Sequence, residues 1–310
     1  MKEMPSNQLS NTEKENLEQI PGSEGRYTAI HFFQEASIML DLPTKTAATA
    51  IMYHHRFKQF MADVKTNPIK EINGHQVDVN LALDCDDELL ATTCLHLACK
   101  ATEVVRKLRD VINVCYRLIH QSDPILEIDE YYYNLRTSLT TSELILIRAL
   151  GYNLDVDLPF AFALKVLKGM GCVPVFSEDE NDEQRWQKEV LSNGASRSTS
   201  NSEYPDKQKL QAAITKYFEN LDVDLALVAR LTWIYAWDSM CHPSVGLEHD
   251  CYSIALACIY LAVRSAGASL PMNLGEWVHF WGDGHNVTIN SMKNALTSLM
   301  EQLAVVKQNE

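Results

Sequence analysis

Three charged residues stand where helices offer them little company. Lys100 and Glu103 are one helical turn apart at the end of an otherwise apolar helix. Glu143 is the only acid between Glu130 and Asp155, and the four residues after it, Leu144 to Ile147, are all apolar. A charge in such a setting needs a partner. Three arrangements satisfy it: Lys100 and Glu143 close on each other, each reaches water, or both are held for another molecule. Glu103, as the i+3 neighbour of Lys100, is placed to orient that side chain.

Other reactive residue types carry less. Cys241, His242, His249 and Cys251 cluster around one interhelical loop, but their spacing, CH-x6-H-x-C, matches no common structural zinc pattern. They read as a helix end, a Pro243–Gly246 turn and a helix start, so no metal is expected. His54 and His55 lie within a helix without a nucleophile beside them and read as a helix surface plus a core contact. The chain has no P-loop, dinucleotide fingerprint, GxSxG or HExxH, so neither an enzyme nor a cofactor is expected.

The 310 residues suffice for two domains, each with its own core. A formal net charge of −14 works against phosphate neutralisation and suits a partner with a basic face. Arg106-Lys107-Arg109 is the only basic cluster. Met1 to Asn16 contains no apolar segment, and Ile254 to Val263 is too short to span a bilayer. A soluble, intracellular protein is expected. The eight cysteines form no CxxC pair and several sit in apolar helical patterns, which predicts reduced, packed thiols.

Helical elements must position these residues. Residues 1–25 are polar, end in Pro21-Gly22-Ser23-Glu24-Gly25 and read as a disordered tail. Helices follow over Tyr27–Leu40 and from Thr44 toward Met61. The stretch Asp63–Asp84, with Asn67-Pro68 and Asn73-Gly74, reads as a long connection with turns. Asp86 and Asp87 then open a helix with the charge its N-terminal dipole favours. Leu108–Ile119 and Asp129–Leu150 complete the first five. Phe160–Lys168 begins a second set, interrupted by an acidic and Ser/Asn-rich segment read as a flexible insertion, about 171–208. Within it, Glu183–Leu191 suits a short helix. Lys209–Met240 reads as a long helix broken near Asp222. Helices at Asp250–Ser265, Leu274–Trp281 and Thr288–Val306 complete the set. No strand signal competes.

The halves share a rhythm. Leu90-Ala91-Thr92-Thr93-Cys94-Leu95-His96-Leu97-Ala98-Cys99-Lys100 aligns without gaps on Ile254-Ala255-Leu256-Ala257-Cys258-Ile259-Tyr260-Leu261-Ala262-Val263-Arg264. A helix this apolar all round must be central in its bundle, and its small residues let neighbours come close. The fold class expected is all-α, two tandem five-helix bundles, over 26–156 and 157–306.

This arrangement resembles the paired cyclin boxes, and local runs sharpen the likeness. Leu97-Ala98-Cys99-Lys100-Ala101-Thr102-Glu103 resembles the segment that ends the third helix of a first cyclin box. Arg109-Asp110-Val111-Ile112-Asn113-Val114 is similar to a run of cyclin L and cyclin Q. Glu143, in Ser142-Glu143-Leu144-Ile145-Leu146, falls where cyclins carry a fifth-helix glutamate. Ala236-Trp237-Asp238-Ser239 and Ala257-Cys258-Ile259-Tyr260-Leu261-Ala262 resemble further segments of transcription-type cyclins. The likeness covers about residues 26–306. Cyclin L carries an Arg/Ser-rich tail, and a chain that stops soon after its last helix sits nearer cyclin Q.

The resemblance implies a regulatory subunit that forms a heterodimer with a cyclin-dependent serine/threonine kinase and activates it. It implies a role in RNA polymerase II transcription, in the nucleus with the cytoplasm also open. By carry-over, Lys100 is a donor and Glu143 an acceptor for main-chain groups around the kinase C-helix, with Glu103 as a third kinase-binding residue. Thr102 departs from the acidic residue the family has there. Arg26 to Phe32 lacks the docking motif of cell-cycle cyclins. Glu35 and Phe32 on that stretch read as ordinary solvent and core positions. The alternative is the DNA-gripping core of the general transcription factor TFIIB, which uses the same duplicated bundle and would need a basic stripe.

Overall fold

The computed structural model describes residues 29–66, 71–72, 75–76, 86–172, 204–221 and 223–309. In the first unit these form α1 (Ala29–Met39), α2 (Thr44–Thr66), β1 (Glu71–Ile72), β2 (His75–Gln76), α3 (Asp87–Ala101), α4 (Leu108–Ile119) and α5 (Glu130–Ala149). In the second they form α6 (Pro159–Gly169), α7 (Tyr204–Glu219), α8 (Leu225–Cys241), α9 (Pro243–Gly246), α10 (Cys251–Ser265), α11 (Leu274–Gly282) and α12 (Ile289–Asn309). The contacts divide the chain between Val156 and Asp157. The tail expected over 1–25 and the short helix expected at 183–191 lie outside the described residues.

The fold is all-α, with one five-helix bundle in each unit. In the first, α3 is central: every residue from Leu90 to Cys99 is buried, and α1, α2, α4 and α5 all pack on it. Its composition makes this possible. Ala91, Cys94, Ala98 and Cys99 keep the helix thin, so four neighbours can approach. Thr92 and Thr93 would be costly inside, but each hydroxyl donates back to a carbonyl of its own helix, Glu88 O at 2.9 Å and Leu89 O at 2.6 Å. The second unit repeats the plan around α10, buried from Ser253 to Ile259 and at Ala262 and Val263. Its neighbours are α6, α8, α11 and α12. The helix α7 packs on α6, and the single turn α9 follows α8.

Caps set the helix starts. Asp129, Asp224, Asp250 and Asn273 each accept a backbone N–H of the first turn, at 3.1, 2.9, 2.7 and 2.9 Å respectively. Asp224 is the physical reason that the long helix expected over 209–240 divides: α7 ends at Glu219, and α8 starts afresh behind a new cap.

Four sequence readings need correction. The helix α2 runs past Met61 to Thr66, because its buried stripe continues through Tyr53, Phe57, Phe60 and Val64 at helical spacing. Beyond it, the expected strand-free connection carries a two-residue antiparallel ladder, Glu71 opposite Gln76 and Ile72 opposite His75, around the Asn-Gly pair. The helix α7 starts at Tyr204, so the end of the segment read as a flexible insertion is helical. Finally, His54 and His55 are both buried, since the first half of α2 is enclosed on all sides. Neither faces solvent.

The seven described cysteines are free thiols, and all but Cys241 and Cys251 are buried. No described helix is long and apolar enough to cross a membrane.

Two consequences can be measured. At Gly169, where α6 meets α7 and α11, a Cβ would stand 2.4 Å from Cη2 of Trp281, and the Gly169 carbonyl accepts from Thr215 at 2.9 Å. Gly169→Ala is expected to cost about 1–3 kcal/mol of stability by overpacking, read from urea unfolding. For His54, burial first and then the nearby His55 and Lys58 push the imidazole down to about 3. The unfolded chain therefore binds a proton below about pH 6.5 that the folded chain refuses. The stabilising effect is complete above that pH and falls by up to about 1.4 kcal/mol per pH unit on acidification. His54→Leu is expected to flatten the pH dependence of the urea midpoint between pH 7 and 5.

Candidate functional site

Helix α5 presents one buried stripe, Tyr132, Leu139, Ser142, Glu143 and Leu146, and packs it against α3. Glu143 thus occupies a position that helical spacing would give to a leucine, and its side chain is only 11% exposed. Opposite it, in the last turn of α3, lies Lys100, half exposed, where a cation also suits the negative end of the helix dipole. The Lys100 ammonium donates to both carboxylate oxygens, Oε1 at 2.7 Å and Oε2 at 2.8 Å. Among the three arrangements open from sequence, the chain on its own adopts the closed pair. It is anchored inside at the glutamate and reaches the surface at the lysine.

Glu103 does not join them as expected. The helix ends at Ala101 with Thr102 as cap, and Glu103 turns into the left-handed region at φ 61°. An i+3 alignment with Lys100 holds only on a helix, and the chain has already left it. Its exposed side chain stands outside the pair. Thr102, the departure from the family pattern, has its own task. Its hydroxyl donates to Ala98 O at 2.8 Å and lies 2.8 Å from the Thr46 hydroxyl, tying the end of α3 to the start of α2.

Sequence reasoning missed His96. It stands one turn before Lys100 on α3, is buried, and points Nδ1 at Glu143 Oε2 across 3.7 Å. That nitrogen has no hydrogen-bond partner. Burial, and then the Lys100 charge, hold its pKa below the ordinary value, while Glu143 pulls the other way. The i, i+4 spacing of His96 and Lys100 was the available signal.

Several large apolar side chains of the first unit are exposed. Leu144 follows Glu143 on α5 and is 55% exposed, and Tyr152, just past the helix end at φ 60°, is 66% exposed. Ile38 and Met39 at the end of α1, and Val105 between α3 and α4, are exposed too. Arg106 ties these last segments together, because its Nε donates to Leu40 O at 2.8 Å and its Nη2 donates to Asp41 O. Arg106 therefore serves as a clamp on the end of α1. The first member of the basic cluster is thus committed to two carbonyls while keeping its charge.

The loop residues Cys241, His242, His249 and Cys251 do not assemble. His249 Nε2 lies 3.0 Å from the Ser298 hydroxyl, and burial pushes both thiols up to about 12. Among the described residues, no group of three or more His, Cys, Asp or Glu is placed to hold a metal ion. The run Ala236–Ser239 is interior in character: Ala236 and Ser239 are buried, and Ser239 donates to Ala236 O at 2.7 Å.

A two-unit bundle with this pair at the end of its first central helix can be compared with known families. The model of the cyclin N-terminal domain matches residues 1–155. The chain belongs to the cyclin family. Cyclin-L1 of Gallus gallus is 25% identical to this cyclin over 264 residues, 84% of this chain and 36% of that protein. Cyclin-L2 of Homo sapiens is 25% identical over 83% of the chain and 36% of its own length. Cyclin-T1-4 of Arabidopsis thaliana is 29% identical over 141 residues, 44% of this chain and 23% of that protein. The cyclin thus spans about a third of the L-type relatives it matches. In the crystal structure of the yeast RNA Pol II CTD kinase CTDK-1 complex, one chain is superimposable with a TM-score of 0.52 at 15% identity. That match covers 88% of this cyclin and 63% of the other chain, and shows a shared fold.

The two partners of the pair should respond differently to removal. Lys100→Met leaves a nearly buried carboxylate without its cation and is expected to lower stability by about 1–3 kcal/mol. Glu143→Leu restores an apolar stripe and leaves a half-exposed lysine to water, so it should be near neutral. Urea unfolding of both variants at pH 7.5 checks the asymmetry.

Proposed function

We propose that this cyclin is the regulatory subunit of a cyclin-dependent serine/threonine kinase, forms a heterodimer with the catalytic subunit, and acts in the nucleus in RNA polymerase II transcription. The observation that carries the reading is the Lys100–Glu143 pair at the end of the central helix, its lysine half exposed and its glutamate nearly buried. The L- and T-type relatives and the structural likeness to a chain of a Pol II CTD kinase complex support it.

The internal pairing leaves room for a partner. An ammonium has three N–H donors, of which Glu143 takes two, and a carboxylate has about four acceptor sites, of which Lys100 fills two. The third lysine donor suits a main-chain carbonyl, and the open glutamate sites suit a main-chain N–H. Each such charge-assisted bond contributes about 1.5–3 kcal/mol.

A kinase is active only when its β3 lysine pairs with a glutamate on its C-helix and its activation loop is in place. A subunit that binds only the inward position of that helix shifts the equilibrium by its differential affinity and supplies no catalytic group. Glu103, exposed and off the helix, reaches the partner independently of Lys100.

The test is a pull-down against a panel of cyclin-dependent kinase catalytic subunits, followed by activity measurement. Lys100→Glu and Glu143→Lys are each expected to reduce activation by about tenfold or more, the equivalent of one such bond. The double swap re-forms an internal pair and should keep the helical circular dichroism signal yet stay inactive. Activation retained by the swap would mean that the pair acts only inside the fold.

A further inference from the structure

The site described above has a second cation in reserve. Glu143 is held in an apolar stripe with Lys100 as its counter-charge. A partner carbonyl that draws the ammonium outward weakens that hold, and the carboxylate, buried as it is, cannot turn to water instead. On its inner side lies His96, itself more than nine-tenths buried, with an Nδ1 that has no hydrogen-bond partner and lies 3.7 Å from Oε2. A small rotation of either side chain closes that gap to a hydrogen bond.

We propose that His96 is the replacement cation for Glu143, taking a proton from solvent when a partner's main chain draws Lys100 away and returning it when the partner leaves. The inference rests on the kinase-partner reading of the same site and adds its regulation: complex formation absorbs a proton, so it strengthens as the pH falls toward 6.

The charges around His96 make the exchange self-consistent. Lys100, on its own helix, opposes protonation, and Glu143, on α5, favours it. On α2, the His54–His55 pair and Lys58 act on one another. On the α4 side, Arg106 acts on Cys99 instead, and on α1, His31 pairs with Glu35 at 3.7 Å. Drawing Lys100 outward thus removes an opposing charge and keeps a favourable one. Sequence supports a specific role too: in the internal repeat the position of His96 is taken by Tyr260, which cannot carry a positive charge.

The first experiment needs no partner. Lys100→Met imitates withdrawal of the ammonium, and the ring nitrogens of His96 are followed by NMR from pH 5 to 8, with the side-chain carboxyl of Glu143 followed in parallel. The titration midpoint of His96 is expected to rise by about one unit or more over the native chain, the usual effect of a change in a neighbouring charge. An unmoved midpoint, with the proton appearing on Glu143, overturns the proposal. Lys100→Gln serves as the second variant if the first does not fold, with the same two outcomes. The second experiment is calorimetry of the native chain with the kinase subunit recovered in the pull-down, in two buffers of different ionisation enthalpy. Net uptake approaching one proton per complex is expected, lost in His96→Leu; binding without uptake overturns the proposal. If no kinase subunit binds, the functional reading fails by itself, and the titration still decides the role of His96.

Discussion

A carboxylate in an apolar stripe is the constraint on which the first unit depends. Glu143 lies between Leu139 and Leu146 on the face of α5 that meets α3, and it is tolerated there only with a cation in reach. That requirement fixes the register of α3 against α5, because the cation must come from the last turn of α3. It also fixes where α3 may stop: Thr102 caps the helix and bonds Thr46, and Arg106 clamps the connection to the end of α1.

The two units use the same scaffold and differ at this pair. Each surrounds a thin, apolar helix, α3 or α10, with four others, and each central helix ends in a base. In the second unit, however, that base is the exposed Arg264, and the described buried residues of α12 are Met292, Ala295 and Leu299, with no acid among them. The duplicated fold is thus shared, and the charged site is particular to the first unit.

On the proposed function, the closed pair serves two purposes. In the chain alone, Lys100 neutralises Glu143 and stabilises the α3–α5 contact. The lysine end of the pair is half exposed and the glutamate end is nearly buried. On that proposal, association exchanges some of this internal bonding for bonds to a partner, and the recognition energy is a difference between two satisfied states. The proposed exchange is sensitive to whatever else can satisfy Glu143, which is why the buried His96 beside it matters to the proposal.

Residue types and their spacing alone settled the helical class, the two central helices and the isolation of Lys100 and Glu143, because burial periodicity is a local property that a linear chain displays directly. The stop before α8 was legible as well, though its cause, the Asp224 cap, became visible only with the helix in place. Tertiary structure decided the rest. It closed Lys100 on Glu143, moved Glu103 off the helix, committed Arg106 to two carbonyls, enclosed His55 and brought His96 beside the carboxylate. Each of these depends on which groups from distant segments meet and how far water is excluded from them, and pairwise distance between α3 and α5, or between α1 and the α3–α4 connection, is written in packing and not in sequence order.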